Sequence, residues 1–137
     1  MTRPLWDKGQ AALDADAQRF CAGDDVVLDR VLLPYDIRAS KAHVAGLARI
    51  GVVSEGEAGA LIEGLSALGE RVARGEFVLD ERFEDCHSAI EWFLGERLGE
   101  VGRKVHAGRS RNDQVLVALR MYVRERLAAL AGGCVEI

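Results

Sequence analysis

The densest group of reactive side chains lies between Arg97 and Asp113, where five basic residues (Arg97, Arg103, Lys104, Arg109, Arg111) accompany two acidic ones (Glu100, Asp113). The chain as a whole has the opposite balance, 18 Lys+Arg against 22 Asp+Glu and a formal charge of -4. Positive charge is therefore local. The chain is no general polyanion binder, and any nucleic-acid role would rest on this one patch. The segment ends in Gly108-Arg109-Ser110-Arg111-Asn112, directly before a helical pattern. A helix start carries unpaired N–H groups and the positive end of the dipole, which favour a carboxylate or phosphate. An arginine can grip a carboxylate with two parallel hydrogen bonds while Ser110 and Asn112 add neutral ones. The same residue types also cap helices, so a second reading has Ser110 or Asn112 closing the helix and the arginines on a solvated turn.

His87 stands one helical turn after Glu84 and one before Glu91. A histidine among carboxylates could be a tuned acid/base or a metal ligand, but from chemistry alone a surface or capping role is expected for His87. No second histidine follows at i+4 and no H-E-x-x-H occurs, so no metal is expected. His43 falls in the apolar half of a long helical pattern and is expected as a hydrogen-bonded core histidine; His106, inside the basic segment, stays open. Trp6 and Trp92 are expected as packing residues. Cys21, Cys86 and Cys134 are widely spaced and form no C-x-x-C pair, so neither a disulfide framework nor a zinc ribbon is indicated and a reduced, cytoplasmic setting is expected. Nucleophile elbows and P-loops are not found. Neither a signal peptide nor a membrane span is expected, because no apolar run approaches the ~18 residues a span requires.

The elements that must hold these groups are helical. With 19 alanines, 16 leucines, two prolines and 6% aromatic residues, the 137-residue chain suits one all-α domain. The first twenty-odd residues show no strong stripe and are expected to form an arm with a short helix. From Asp24 or Asp25 the apolar residues suit one long helix to Gly51, kinked or split at Pro34. Ser54-Glu55-Gly56-Glu57 has capping-box spacing, and a helix with one apolar face runs from it to Gly75. Phe77-Val78-Leu79 is too short to decide between strand and packed loop. The next helix is expected from Glu84-Asp85 to Gly99, and the last from Gln114. That last helix is apolar around most of its circumference and must be covered, by other copies or by further chain.

Lys104-Val105-His106-Ala107-Gly108-Arg109-Ser110-Arg111-Asn112-Asp113-Gln114-Val115 resembles the G-R-S-R-N-D-Q signature of the argininosuccinate lyases and their delta crystallin relatives, in the fumarase/aspartase superfamily. The likeness extends in register over Leu5-Trp6, Phe20, Asp29, Tyr35-Asp36-Ile37, Ser40, Ala42-His43, Gly51, Gly75, Phe77 and Glu84-Asp85-Cys86-His87. It implies a helical subunit of a homotetramer whose long helices form a central bundle, with each active site built from three chains. Residues 1–112 would be the N-terminal helical domain and 113–137 the start of the bundle. The implied reaction is reversible β-elimination of argininosuccinate to arginine and fumarate, in arginine biosynthesis, without cofactor or metal. Arg109, Ser110, Arg111, Asn112 and Asp29 would bind substrate, and His87 falls on the family's E-D-x-H histidine near the active site. No nucleic acid or membrane partner is implied.

Three positions depart from the family. Ala107 stands where a threonine is usual, Asp25 where many members carry a substrate-binding serine, and Ala39 where glycine is common. The family's T-H histidine and its G-S-S-x-M-P-x-K-x-N loop, which carries the catalytic base, fall outside these residues, so the chain alone is expected to be inactive. The alternatives are a helical anion- or nucleic-acid-binding module and a non-catalytic assembly fragment.

Overall fold

The computed structural model describes residues 20, 24–80 and 82–135, and their regular structure is entirely helical. The N-terminal arm, Trp6 and Cys21 lie outside the described residues. Helix α1 spans Asp25–Arg49, α2 Glu55–Ala73, α3 Cys86–Leu98, the single turn α4 Glu100–Arg103 and α5 Arg111–Val135. A 3-10 turn, Lys104–His106, follows α4. None of these helices is long and apolar enough to cross a membrane.

Helix α1 is the spine, packing against α2, α3, the 3-10 turn and α5. It buries Leu33, Ile37, Val44 and Leu47, residues spaced to fall on one side. Of the two expectations for Pro34, a kink or a split, the split does not occur: α1 is a single element with the proline inside it. Leu33, Tyr35, Asp36 and Ile37 around it are all buried. Packing on both sides of the missing N–H thus holds a backbone that proline alone would interrupt.

Helix α2 begins where the sequence indicates. Ser54 Oγ accepts from the Glu57 N–H at 3.2 Å and Glu57 Oε2 accepts from the Ser54 N–H at 2.9 Å, so two free donors are satisfied reciprocally. Its stripe of Leu61, Leu65 and Leu68 is fully buried against α1 and α3. Phe77-Val78-Leu79 is a packed loop: Phe77 and Leu79 are buried, and the Leu79 carbonyl accepts from Arg30 Nε at 2.8 Å. Phe77 in turn stands edge-on to Phe93 of α3, with ring centroids 5.9 Å apart.

The chain then folds back over the end of α3. Gly102 of α4 lies so close to α3 that a Cβ there would run into the Leu94 carbonyl, and only glycine permits that approach. Val105 is fully buried below it. This contact fixes the 3-10 turn and aims the basic segment at α3 and α1. Helix α5 starts at Arg111, three residues before the expected start at Gln114, because polar capping residues carry no hydrophobic period. It runs along α1, with Tyr122 edge-on to Tyr35 at 5.7 Å and Glu125 beside Arg38 at 3.7 Å.

A candidate dicarboxylate site

The start of α3 is held by two aspartates. Asp85 caps it, its carboxylate accepting from the Ser88 N–H at 2.7 Å. Asp29 of α1 reaches across to accept the Cys86 N–H at 2.9 Å. Both place negative charge where the dipole favours it. So anchored, α3 turns His87 inward rather than to solvent: the residue is 3% exposed. Its partner is neither Glu84 nor Glu91 but Asp36 of α1, whose Oδ2 lies 2.6 Å from His87 Nδ1. The surface reading of His87 is therefore overturned by a contact between residues 51 positions apart.

Asp36 is fully buried, as is Ser40 one turn later. Ser40 Oγ donates to Asp36 Oδ1 at 3.5 Å and accepts from Arg109 Nη2 at 3.2 Å. Cys86 Sγ stands 3.7 Å from Asp36 Oδ2. Burial and the neighbouring aspartates push the Cys86 thiol far up, so it stays protonated and is no nucleophile. Asp36, Cys86 and His87 offer donor atoms within 4.8 Å of one another. Two ligands on one tetrahedral zinc would stand roughly 3.4 Å apart, whereas His87 Nδ1 and Asp36 Oδ2 are at hydrogen-bond distance. The donor set is a hydrogen-bonded cluster, not a metal cradle.

The basic segment is only partly what its composition suggests. Lys104 Nζ is 2.5 Å from Glu57 Oε1, Arg103 Nη1 is 2.9 Å from Glu100 Oε1, and Arg111 reaches Asp85 Oδ2 at 2.9 Å and Glu84 Oε2 at 3.2 Å. These cations are engaged by carboxylates, unlike the free arginines a nucleic-acid groove reader would present. Arg109 differs. It is half-buried, bonds to the neutral Ser40 hydroxyl, and its Nε is enclosed without a hydrogen-bond partner.

At the start of α5 the capping reading holds for Ser110. Its hydroxyl accepts from the Asp113 N–H at 3.4 Å, and Asp113 Oδ2 accepts from the Ser110 N–H at 3.0 Å. The negative charge suited to this helix end is thus supplied by Asp113 itself. Asn112 is exposed. The groups left open to an anion lie one turn away, in a cleft of about 340 Å³ lined by Glu84, His87, Ser88, Glu91, His106, Arg109, Arg111 and Gln114. Among the described residues, three buried side-chain nitrogens lack a hydrogen-bond partner: His87 Nε2, His106 Nε2 and Arg109 Nε. All three belong to residues lining this one cleft.

The structure thus brings His87, Arg109 and Arg111 together and adds His106, whose Nδ1 lies 3.9 Å from Glu91. Ser110 and Asn112 fall outside the lining, and Asp29 serves the start of α3. His43 is hydrogen-bonded as expected, its Nε2 2.9 Å from the Ala107 carbonyl, but it is half-buried rather than a core residue; desolvation lowers its pKa. Asp36 is the residue that reading side-chain types missed. The available signal was its place, with Ser40, within the apolar stripe of Leu33, Ile37, Val44 and Leu47, where a polar side chain must find a partner.

A protein-family model described as Lyase matches residues 9–134. The chain belongs to this lyase family. It is 54% identical over 137 residues to an argininosuccinate lyase of Xanthomonas oryzae pv. oryzae (strain PXO99A), a match covering 100% of this chain and 32% of the relative. It is 52% identical over 127 residues to an argininosuccinate lyase of Stenotrophomonas maltophilia (strain K279a), covering 93% of this chain and 30% of the relative. This lyase chain therefore spans about a third of the length of the curated relatives it matches, 32% in the first case.

Proposed function

We propose that this chain supplies the N-terminal part of an argininosuccinate lyase and contributes dicarboxylate-binding groups to the reversible elimination of argininosuccinate to arginine and fumarate. The observation that carries this reading is the meeting of three unpartnered, buried side-chain nitrogens in one cleft. Arg109 Nε is a donor at every accessible pH and suits a carboxylate oxygen; the imidazole Nε2 atoms can donate or accept. The substrate's succinyl part carries two carboxylates. Removing its β-proton spreads further negative charge onto the adjacent carboxylate, after which the Cα–N bond breaks and arginine leaves with its nitrogen reprotonated. Fixed donors in a site shielded from water favour that charge most where it develops.

In this reading Arg109 holds carboxylate, His87 supports the reaction at the cleft, and Arg111, Ser110, Asn112 and Asp29 enter on the resemblance alone. Residues 1–112 form the N-terminal helical domain and 113–137 begin the central bundle of a cytoplasmic homotetramer working in arginine biosynthesis. The abstracting base comes from the remainder of the lyase. Two measurements test this. The 137-residue chain alone should release no fumarate from argininosuccinate, followed by ultraviolet absorbance. Mixed with a relative lacking the corresponding N-terminal third, it should restore that release; failure to restore it, or turnover by the chain alone, sinks the reading.

A further inference from the structure

We propose that Asp36 is the positioning residue of the cleft: its buried carboxylate holds the proton of His87 on Nδ1, leaves Nε2 as the atom offered to the ligand, and sets Arg109 through Ser40. The inference rests on reading the cleft as the ligand site. An ionised carboxylate with no exposure to water is strongly disfavoured unless donors surround it, and Asp36 is 0% exposed. Its two oxygens divide the work. Oδ2 faces His87 Nδ1 at 2.6 Å and Oδ1 faces Ser40 Oγ at 3.5 Å. Ser40 Oγ accepts in turn from Arg109 Nη2 at 3.2 Å. One side chain on α1 thereby reaches both walls of the cleft, α3 through His87 and the segment before α5 through Arg109.

The tautomer follows from the chemistry of the partner. A carboxylate oxygen only accepts, so the ring nitrogen facing it must carry hydrogen, and in the neutral imidazole the other nitrogen is then bare. That other nitrogen, Nε2, is buried, has no hydrogen-bond partner among the described residues, and belongs to a cleft-lining residue. The His106 ring stands edge-on to the His87 ring, 6.3 Å away between centroids. A buried acid is by itself weak evidence of stability, because replacing a whole buried pair by apolar side chains is often neutral while removing one partner alone is strongly destabilising. This one fixes a histidine and an arginine whose remaining nitrogens, Nε2 and Nε, both wait for the same ligand.

Nitrogen NMR of the histidine-labelled chain decides the matter, since the sequence has three histidines to assign. At a pH where the His87 ring is neutral, Nδ1 should appear protonated and Nε2 bare. In Asp36→Asn the amide can donate to the ring, and a measurable fraction of the proton should move to Nε2. A neutral parent ring protonated on Nε2 overturns the proposal. So does a folded Asp36→Asn variant with the parent tautomer. Should that variant fail to fold, Ser40→Ala gives the second reading: His87 keeps its tautomer while the Arg109 side-chain N–H groups exchange faster with solvent, and unchanged Arg109 exchange overturns the link. None of these readouts needs substrate. Failure of the reconstituted enzyme to release fumarate would therefore count against the proposed function without touching this assignment.

Discussion

Arg109 and Lys104 sit five residues apart in one basic segment and do opposite things. Lys104 is a tether: its ammonium and the Ser54 N–H hold the Glu57 carboxyl at about 2, well below its ordinary value of 4.5. A carboxyl depressed on folding adds stability that is complete above its unfolded pKa and lost as pH falls through the folded one. Lys104→Gln should therefore lower the urea midpoint at neutral pH, with the gap to the parent closing as pH falls from 4.5 toward 2; denaturation curves at the two ends check this. The Arg109 side chain, by contrast, makes one hydrogen bond among the described residues, and its enclosed Nε has no partner. Charge-assisted hydrogen bonds contribute about 1.5–3 kcal/mol, and about 1.4 kcal/mol is tenfold in affinity. Arg109→Gln should raise KM for argininosuccinate by roughly 10- to 100-fold in the reconstituted enzyme, while helicity by circular dichroism stays unchanged.

At the scale of elements, the cleft depends on two short-range devices far from its chemistry. The capping box that starts α2 also contains Glu57, the carboxylate that holds Lys104 and through it the 3-10 turn bearing His106. Ser54→Ala should cost about 1 kcal/mol in urea unfolding. The close approach of α4 to α3 is the second device. Gly102→Ala puts a methyl against the Leu94 carbonyl, a backbone atom that cannot rotate aside. Overpacking of this kind costs about 1–3 kcal/mol, and because α4 must shift, His106 and Arg109 shift with it. Thermal melts should show the loss, and reconstituted activity should fall further than Ser54→Ala makes it fall.

The molecule as a whole is unevenly covered. The core around α1, α2 and α3 is closed, but α5 buries only Gln114 and Ala118. Leu116, Leu127 and Leu130 are 48%, 59% and 64% exposed, so the helix that looked too apolar for its surroundings is indeed left open on its outer side. In the proposed bundle other subunits cover that face. Replacing both Leu127 and Leu130 by glutamate should leave helicity and melting of the core intact, because both side chains are more than half exposed, yet sedimentation should shift from oligomer toward monomer. No change in sedimentation would count against the bundle.

Local sequence determined the helices and their ends. Ser54 and Glu57 announce a capping box because the hydrogen bonds involved span three residues, and Gly75 and Gly99 end helices through backbone geometry that needs no distant partner. Seven consecutive residues, Gly108 to Gln114, were specific enough to mark the family. Composition also showed that α5 needed a cover. Only the tertiary structure decided which charges are free. Lys104 and Arg111 are engaged by acids from elsewhere in the fold, Ser110 turns to its own helix, and Arg109 is left with an unpartnered nitrogen. Likewise, nothing near His87 in sequence indicates Asp36, because their bond joins two helices 51 residues apart. Helix periodicity and capping are written in contacts of three or four residues. The pairing of buried charges is settled only when helices pack and water is expelled, so that each ionised group must find whichever partner the fold brings within reach.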